Sequence, residues 1–218
     1  MKLWHTDIDL FSDEWYWRTV KQLPEPIFSE IDRYHSMNDK KSRLLARLLI
    51  RFYCSTEGYD WNWSNWKKEE NHKPFLENGP FFNISHAGKK VVVVFSEKHT
   101  VGVDVEQIAA IDVNAMSSYF HPAEITFLQQ KHEEAFFTIW TRKEALLKAV
   151  GIGILNGLNQ VSVLDDELYY NGTWFLKECT LFDAYKVSIC SSSAIQELHF
   201  KEIDTIQLNS FIDEKILL

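Results

Sequence analysis

Val101-Gly102-Val103-Asp104-Val105-Glu106 is the stretch from which the fold is read. Side chains of an extended strand alternate faces, so the three valines share one side while Gly102, Asp104 and Glu106 share the other. Two carboxylates about 7 Å apart along one face, beside a glycine that leaves room, can lean together onto one hard cation. The same pattern also suits an edge strand that shows charges to water to discourage aggregation.

Outward from this strand the middle of the chain is rich in β structure. Phe81 to Ser85 and Val91 to Ser96 are short runs of Val and Phe, separated by Gly88-Lys89 and by the polar turn Glu97-Lys98-His99. Further upstream, Leu3 to Asp9 predicts an opening strand, and Ser12 before Asp13 and Glu14 predicts a short helix that ends before Pro24. From Asn38 the spacing of Leu44, Leu45, Leu48, Leu49 and Phe52 predicts a long amphipathic helix stopped near Gly58. Trp61, Trp63 and Trp66 then predict an aromatic lid over the core edge.

Downstream, Ile111 to Tyr119 reads as helical, and His121-Pro122-Ala123-Glu124 starts a helix with Pro at its first position. Glu133 to Val150 predicts a second long helix, closed by Gly151 and Gly153. Strands are expected again at Val161 to Leu164, Leu168 to Tyr170, Thr173 to Leu181, Ala184 to Ser191 and Gln196 to Ile203. The order of elements suggests two α+β lobes in succession. At 218 residues the chain is about one and a half average domains, which suits two small docked lobes.

The formal net charge of -8 excludes a protein that coats nucleic acid or anionic membranes through its whole-body field. Lys40 to Lys73 alone runs against that balance, with 8 basic and 4 acidic residues, and offers an anionic small molecule a local field. Cys54, Cys179 and Cys190 are widely spaced and read as reduced, buried thiols. The N-terminus lacks the apolar core of a signal peptide, and no apolar run reaches the ~20 residues of a membrane helix. A soluble cytoplasmic protein is expected.

Two further segments carry chemistry. In Trp140-Thr141-Arg142-Lys143-Glu144-Ala145-Leu146-Leu147-Lys148-Ala149, helical spacing puts Trp140, Glu144 and Lys148 on one stripe. Glu144 and Lys148 could be an ordinary surface ion pair; alternatively, the carboxylate joins a metal shell and the ammonium meets a phosphate. In Phe81-Phe82-Asn83-Ile84-Ser85-His86-Ala87-Gly88, preceded by Lys73-Pro74, a strand ends in a hydroxyl, an imidazole and free backbone N–H groups, a plausible anion site. Ser85 and His86 are adjacent and so point apart, and there is no Gly-x-Ser-x-Gly elbow, which argues against a serine hydrolase.

Taken in order, Lys-Pro, Phe-Asn-Ile-Ser-His-Ala-Gly, Gly-Val-Asp-Val-Glu and Trp-Thr-Arg-Lys-Glu-Ala-x-x-Lys-Ala resemble the 4′-phosphopantetheinyl transferases. The likeness is to the large, two-lobed class typified by the activator of surfactin synthetase, and it spans about Leu3 to Ile203. It implies an α+β fold of two similar α/β lobes related by a pseudo-twofold axis: lobes at 1–106 and 107–205, then a C-terminal tail at 206–218. It implies a magnesium-dependent enzyme that moves the phosphopantetheine arm of coenzyme A to a serine of an apo acyl or peptidyl carrier protein, releasing adenosine 3′,5′-bisphosphate.

By position, the resemblance makes Asp104, Glu106 and Glu144 the magnesium ligands and Lys148 the contact to the pyrophosphate. It sets Lys73, Ser85 and His86 at the adenine end and its 3′-phosphate, and Glu124 as the base for the carrier serine. The family arginine aligns with Ser42, so Lys40, Lys41 and Arg43 are the expected phosphate contacts, while Glu30, Asp32 and Arg33 stand where relatives carry further lysines. Ile111, Met116 and Phe120 are the expected carrier-protein surface, and a monomer is expected because two fused lobes already form a cleft. The rival readings are a magnesium-dependent nucleotide hydrolase and a non-catalytic binding module for coenzyme A or carrier protein. No Gly-x-x-x-x-Gly-Lys-Ser/Thr loop supports the former.

Overall fold

A computed structural model describes residues 1–129, 133–152 and 159–215. The chain is α+β, with two four-stranded sheets that face each other and helices on their outer sides. The first sheet has the order β10-β1-β5-β4, built from β1 (Lys2–Asp7), β4 (Phe81–Ala87), β5 (Lys90–Ser96) and β10 (His199–Glu202). The second has the order β6-β9-β8-β7, built from β6 (Val101–Gln107), β7 (Glu167–Tyr169), β8 (Thr173–Cys179) and β9 (Tyr185–Ser191). A two-stranded ribbon, β2 (Trp66–Lys68) and β3 (Pro74–Leu76), stands apart from both.

The valine run of β5 is buried on both faces. Val91, Val93 and Phe95 join a core under α3 (Met37–Glu57), while Val92 and Val94 meet Val101, Val103 and Val105 of β6 and Val187 and Ile189 of β9. A strand covered on both sides reads as continuous apolar sequence, which is what Lys90–Ser96 shows. The opposite face of β6 turns to α5 (Glu133–Val150).

Helix ends follow local chemistry. Ser12 accepts the Trp15 N–H to cap α1 (Asp13–Val20), Ser36 caps α3, and Gly58 ends α3 at φ +77°. The capping box at α4 (Pro122–Leu128) is completed by Glu124. Gly151 follows α5 at φ +82°; Gly153, its expected partner, lies outside the described residues.

Several expectations need correction. The expected lobe boundary at 106/107 falls within β6, whose ladder runs entirely to β9, so the chain passes to the second sheet after Ser96 rather than after Glu106. The segment 107–205 is not confined to one lobe either: β10 pairs in parallel with β1 in the first sheet. The 206–218 tail is largely α6 (Thr205–Lys215), whose Leu208, Phe211 and Ile212 enter the core under α3. A helix α2 (Glu25–Asp32), with Pro24 at its N-cap, follows where only a break was expected. Val161 to Leu164 forms no strand, because side chains of α4 and α5 take its backbone groups. The helical segment at Ile111 to Tyr119 is a 3-10 helix over Asn114–Tyr119. Trp66 is core rather than lid, while Trp61 and Trp63 pack partly buried against that core.

Gly102 sets the contact between β6 and α5. A methyl group there would lie 2.0 Å from the Ala145 carbonyl oxygen and 2.6 Å from the Ala149 nitrogen, both helix backbone that cannot swing aside. Gly102→Ala is therefore expected to destabilise the protein by about 3 kcal/mol or more, read from denaturant unfolding.

Candidate active site

A cleft of about 500 Å³ opens where α3, β4, β6 and α5 converge. Strand alternation aims Asp104 and Glu106 from β6 into it, and Glu144 and Lys148, one turn apart on α5, reach it from the other side. The Lys148 ammonium lies 2.6 Å from Asp104 Oδ1 and donates to Ser85 Oγ at 3.0 Å. Ser85 Oγ in turn donates to Asp104 Oδ1 at 2.8 Å and accepts the Val105 N–H at 3.3 Å. On the same face of β4, Asn83 Oδ1 accepts the Val103 N–H. Ser85 thus ties the edges of the two sheets together and fixes the Asp104 carboxylate.

Two further oxygens of this cluster, Asp104 Oδ2 and Glu144 Oε1, are buried without a hydrogen bond among the described residues. A buried acceptor without a donor is costly, and a hard cation is one way to satisfy two of them at once. Burial first, then the Asp104 charge, pushes the Glu106 carboxyl up to about 7, despite Lys148 and a hydrogen bond from Trp140. Burial and Asp104 likewise push Glu144 up to about 7. Among the described residues no three acidic or histidine side chains are already closed into a metal cage. Asp104 Oδ1 is held by Lys148 and Ser85 instead. The donor set of three carboxylates nonetheless suits magnesium, which favours oxygen ligands and keeps several waters.

The far end of the cleft is basic. Arg33, Arg43, Arg47 and Lys68 line it together with Glu30, Tyr34 and Trp66. Glu30 accepts from Arg47 at 2.8 Å and from Lys68 at 2.6 Å. Burial alone would raise the Glu30 carboxyl, but the hydrogen bonds and charges of Lys68 and Arg47 hold it below its ordinary value. Arg43 stacks over the Tyr34 ring at 3.6 Å, and the Nε atoms of Arg43 and Arg47 are buried without acceptors. One pole of the cleft therefore has unpaired acceptors and the other unpaired donors.

The expected site residues fall into three groups. Asp104, Glu106, Glu144, Lys148, Ser85, His86 and Arg43 line the cleft. Burial, then Arg43 and Lys148, hold the His86 imidazole below its ordinary pKa. Lys73 lines an adjoining pocket of about 290 Å³ and donates to the Ala149 carbonyl at the end of α5.

Lys40 and Lys41 are turned away from the cleft, because Asp32 and Asp13 take their ammonium groups at 2.5 and 2.6 Å. Glu124 is also outside the cleft. It is 0% exposed, paired with Lys143 at 2.8 Å, and accepts the His121 and Val163 N–H groups. Phe120 is buried in a core that it forms with Phe136, Phe137 and Trp174, while Ile111 and Met116 pack partly buried against that core.

Arg47, Lys68 and His72 line the cleft in addition to the expected residues, and Trp140 lines it from the stripe it shares with Glu144 and Lys148. Arg47 was legible, since it follows Arg43 by one helical turn. Lys68 was not, because the β2–β3 ribbon carries it to Glu30 across 38 residues of sequence.

Residues 12–99 match the family model "4'-phosphopantetheinyl transferase, N-terminal", and residues 100–190 match that of the 4'-phosphopantetheinyl transferase superfamily. The division between them falls where the chain passes from the first sheet to the second. The chain is 33% identical over 198 residues to the 4'-phosphopantetheinyl transferase gsp of Aneurinibacillus migulanus, covering 83% of this chain and 82% of that protein. It is 25% identical over 179 residues to the 4'-phosphopantetheinyl transferase Sfp of Bacillus subtilis strain 168, covering 73% and 78%. It is also 24% identical over 204 residues to the L-aminoadipate-semialdehyde dehydrogenase-phosphopantetheinyl transferase of Pongo abelii. The chain belongs to the 4′-phosphopantetheinyl transferase superfamily. Within it, the chain is a transferase of the Sfp type. No described helix is long and apolar enough to cross a membrane.

The raised carboxyls carry a signed pH dependence. A carboxyl whose folded pKa lies above its unfolded value binds the proton longer in the folded state, so its share of stability is lost as pH rises from about 4.5 to about 7. Neutral His86 opposes this, because a lowered imidazole gains stability as pH rises towards 6.5. Removing only the first effect, Glu144→Gln should make the metal-free protein more stable relative to wild type at pH 7.5 than at pH 5, by thermal unfolding in chelator.

Proposed function

We propose that this cleft transfers the 4′-phosphopantetheine arm of coenzyme A to a serine of an apo acyl or peptidyl carrier protein, leaving adenosine 3′,5′-bisphosphate. The observation that carries the reading is the polarity of the cleft. Buried acceptors without donors, Asp104 Oδ2 and Glu144 Oε1, lie at one pole, and buried donors without acceptors, on Arg43 and Arg47, at the other. Coenzyme A suits both: a diphosphate that can carry a cation to the carboxylates, and a separate 3′-phosphate for the arginines.

Asp104, Glu106 and Glu144 would hold magnesium, which when bound supplies positive charge to the diphosphate oxygens. Lys148 presents a second positive charge on the same wall and would stabilise charge that develops as the carrier serine attacks the β-phosphorus in line, its proton passing to water as the bond from that phosphorus to the bridging diphosphate oxygen breaks and adenosine 3′,5′-bisphosphate leaves. Ser85 holds Asp104 in place, and the Trp140 N–H does the same for Glu106. Arg43, Arg47, Lys68 and His86 would hold the nucleotide, with Lys73 beside it, in place of the Lys40–Lys41 pair. The carrier would approach over Ile111 and Met116, with Phe127, 39% exposed on α4, extending that surface.

The two sheet-and-helix units are taken as related halves of a pseudo-twofold arrangement. Both poles of the site come from one chain, which supports action as a monomer. Three free, buried cysteines suit a reducing compartment such as the cytoplasm.

The test is to incubate the protein with coenzyme A, magnesium and an apo carrier protein and to weigh the carrier. A gain of one phosphopantetheine is expected. Nucleotide cleavage with every carrier unmodified would make the protein a hydrolase, and binding of coenzyme A with neither reaction would make it a binding module. Lys148→Met is expected to lower kcat by about 100-fold or more. Arg43→Ala should raise KM for coenzyme A with kcat little changed, and this penalty should vanish with 3′-dephospho-coenzyme A.

A further inference from the structure

Glu124 and Lys143 form a buried pair that the chemistry proposed above leaves unused. They are 0% and 1% exposed, and the ammonium lies 2.8 Å from Glu124 Oε2. Three donors converge on this one carboxylate: the Lys143 ammonium and the His121 N–H on Oε2, and the Val163 N–H on Oε1. Lys143 also donates to the Val161 carbonyl at 2.9 Å. The neighbouring Arg142 donates to the Val163 and Asp165 carbonyls, at 2.6 and 2.7 Å. Two successive side chains of α5 thus fasten its outer side to α4 and to the segment 161–165.

Glu144 is the next residue. On an α-helix, neighbouring side chains are turned about 100° apart, so the rotation that buries Lys143 on α4 also aims Glu144, and Lys148 one turn on, into the cleft. We infer that the Glu124–Lys143 pair is a positioning device: it fixes the rotation of α5 about its own axis and so the placement of Glu144 and Lys148, with Glu124 taking no proton from the carrier serine. This rests on the cleft being the reaction site. An amide cannot substitute for the carboxylate, because its NH2 group would face one of the three donors and the negative charge that answers the ammonium would be gone.

The test is a double-mutant cycle in the full chain, with turnover expressed per folded molecule at a temperature where circular dichroism shows each variant folded. Glu124→Gln should lower kcat by about tenfold or more, and adding Lys143→Met to it should restore at least part of that loss by removing the buried charge that Glu124 no longer balances. Lys143→Met alone should also lower kcat, although it leaves the carboxylate in place. Glu124→Gln should keep the acid limb of the pH–rate profile, since the residue is not the titrating base.

A doubly substituted protein that is folded but as inactive as Glu124→Gln, with Lys143→Met near wild type and the acid limb lost in Glu124→Gln, would overturn the inference in favour of a general base. Unchanged turnover per folded molecule in both single variants would overturn it in favour of a purely stabilising pair. An inactive wild-type protein would instead refute the proposed transfer reaction, so the two failures are distinct.

Discussion

The close approach of β6 to α5 at Gly102 is the constraint on which the site depends. Hydrogen on Cα is all that fits between the strand and the helix backbone at Ala145 and Ala149. With the two elements this near, residues two and four positions along the strand face the helix residues that immediately precede Ala145 and Ala149. Asp104 and Glu106 then share a wall with Glu144 and Lys148. A larger residue at 102 would separate the two pairs before it altered any charged group.

Around that contact the protein keeps charges that a folding core alone would not need. Asp104 is 3% exposed and Glu144 4%, and each retains an oxygen with no donor. Lys148 offsets part of this by bridging Asp104 and Ser85, and the raised Glu106 and Glu144 carboxyls register the remainder. At the opposite pole Glu30 answers Arg47 and Lys68, while the Nε atoms of Arg43 and Arg47 are buried without an acceptor among the described residues. Tyr16 and Thr19 also bury an unsatisfied hydroxyl away from the cleft, but only within the cleft do such atoms gather with charged groups, where a ligand can complete several at once. The overall charge of -8 conceals this division, because the field inside the cleft is set by a few partly buried groups.

How much could be read in advance depended on whether an element's partners were local. Both long helices were legible because their stops and apolar spacing are written within the segment: α3 ends at Gly58, and α5 runs over Glu133–Val150 as expected. The alternation of Val101–Glu106 gave the correct two faces of β6. By contrast α6 was missed, since its apolar residues become a helix face only against the core under α3. Val161–Leu164 has strand-like composition, yet its backbone partners are Glu124, Arg142 and Lys143 rather than a neighbouring strand. Lys40 and Lys41 looked as available as Arg43, and the difference lies in Asp13 and Asp32, which the packing of α1 and α2 brings to them.

The sequence by itself determined the family, the α+β class and the four charged residues of the carboxylate pole, because strand and helix periods place Asp104 with Glu106 and Glu144 with Lys148. Only the tertiary structure decided which cations form the opposite pole, and that Glu124 is held in a buried ion pair away from the cleft. The reason is physical: periodicity fixes which way a side chain points from its own element. What stands opposite it, and whether water or another charge satisfies it, is fixed only when distant segments pack together.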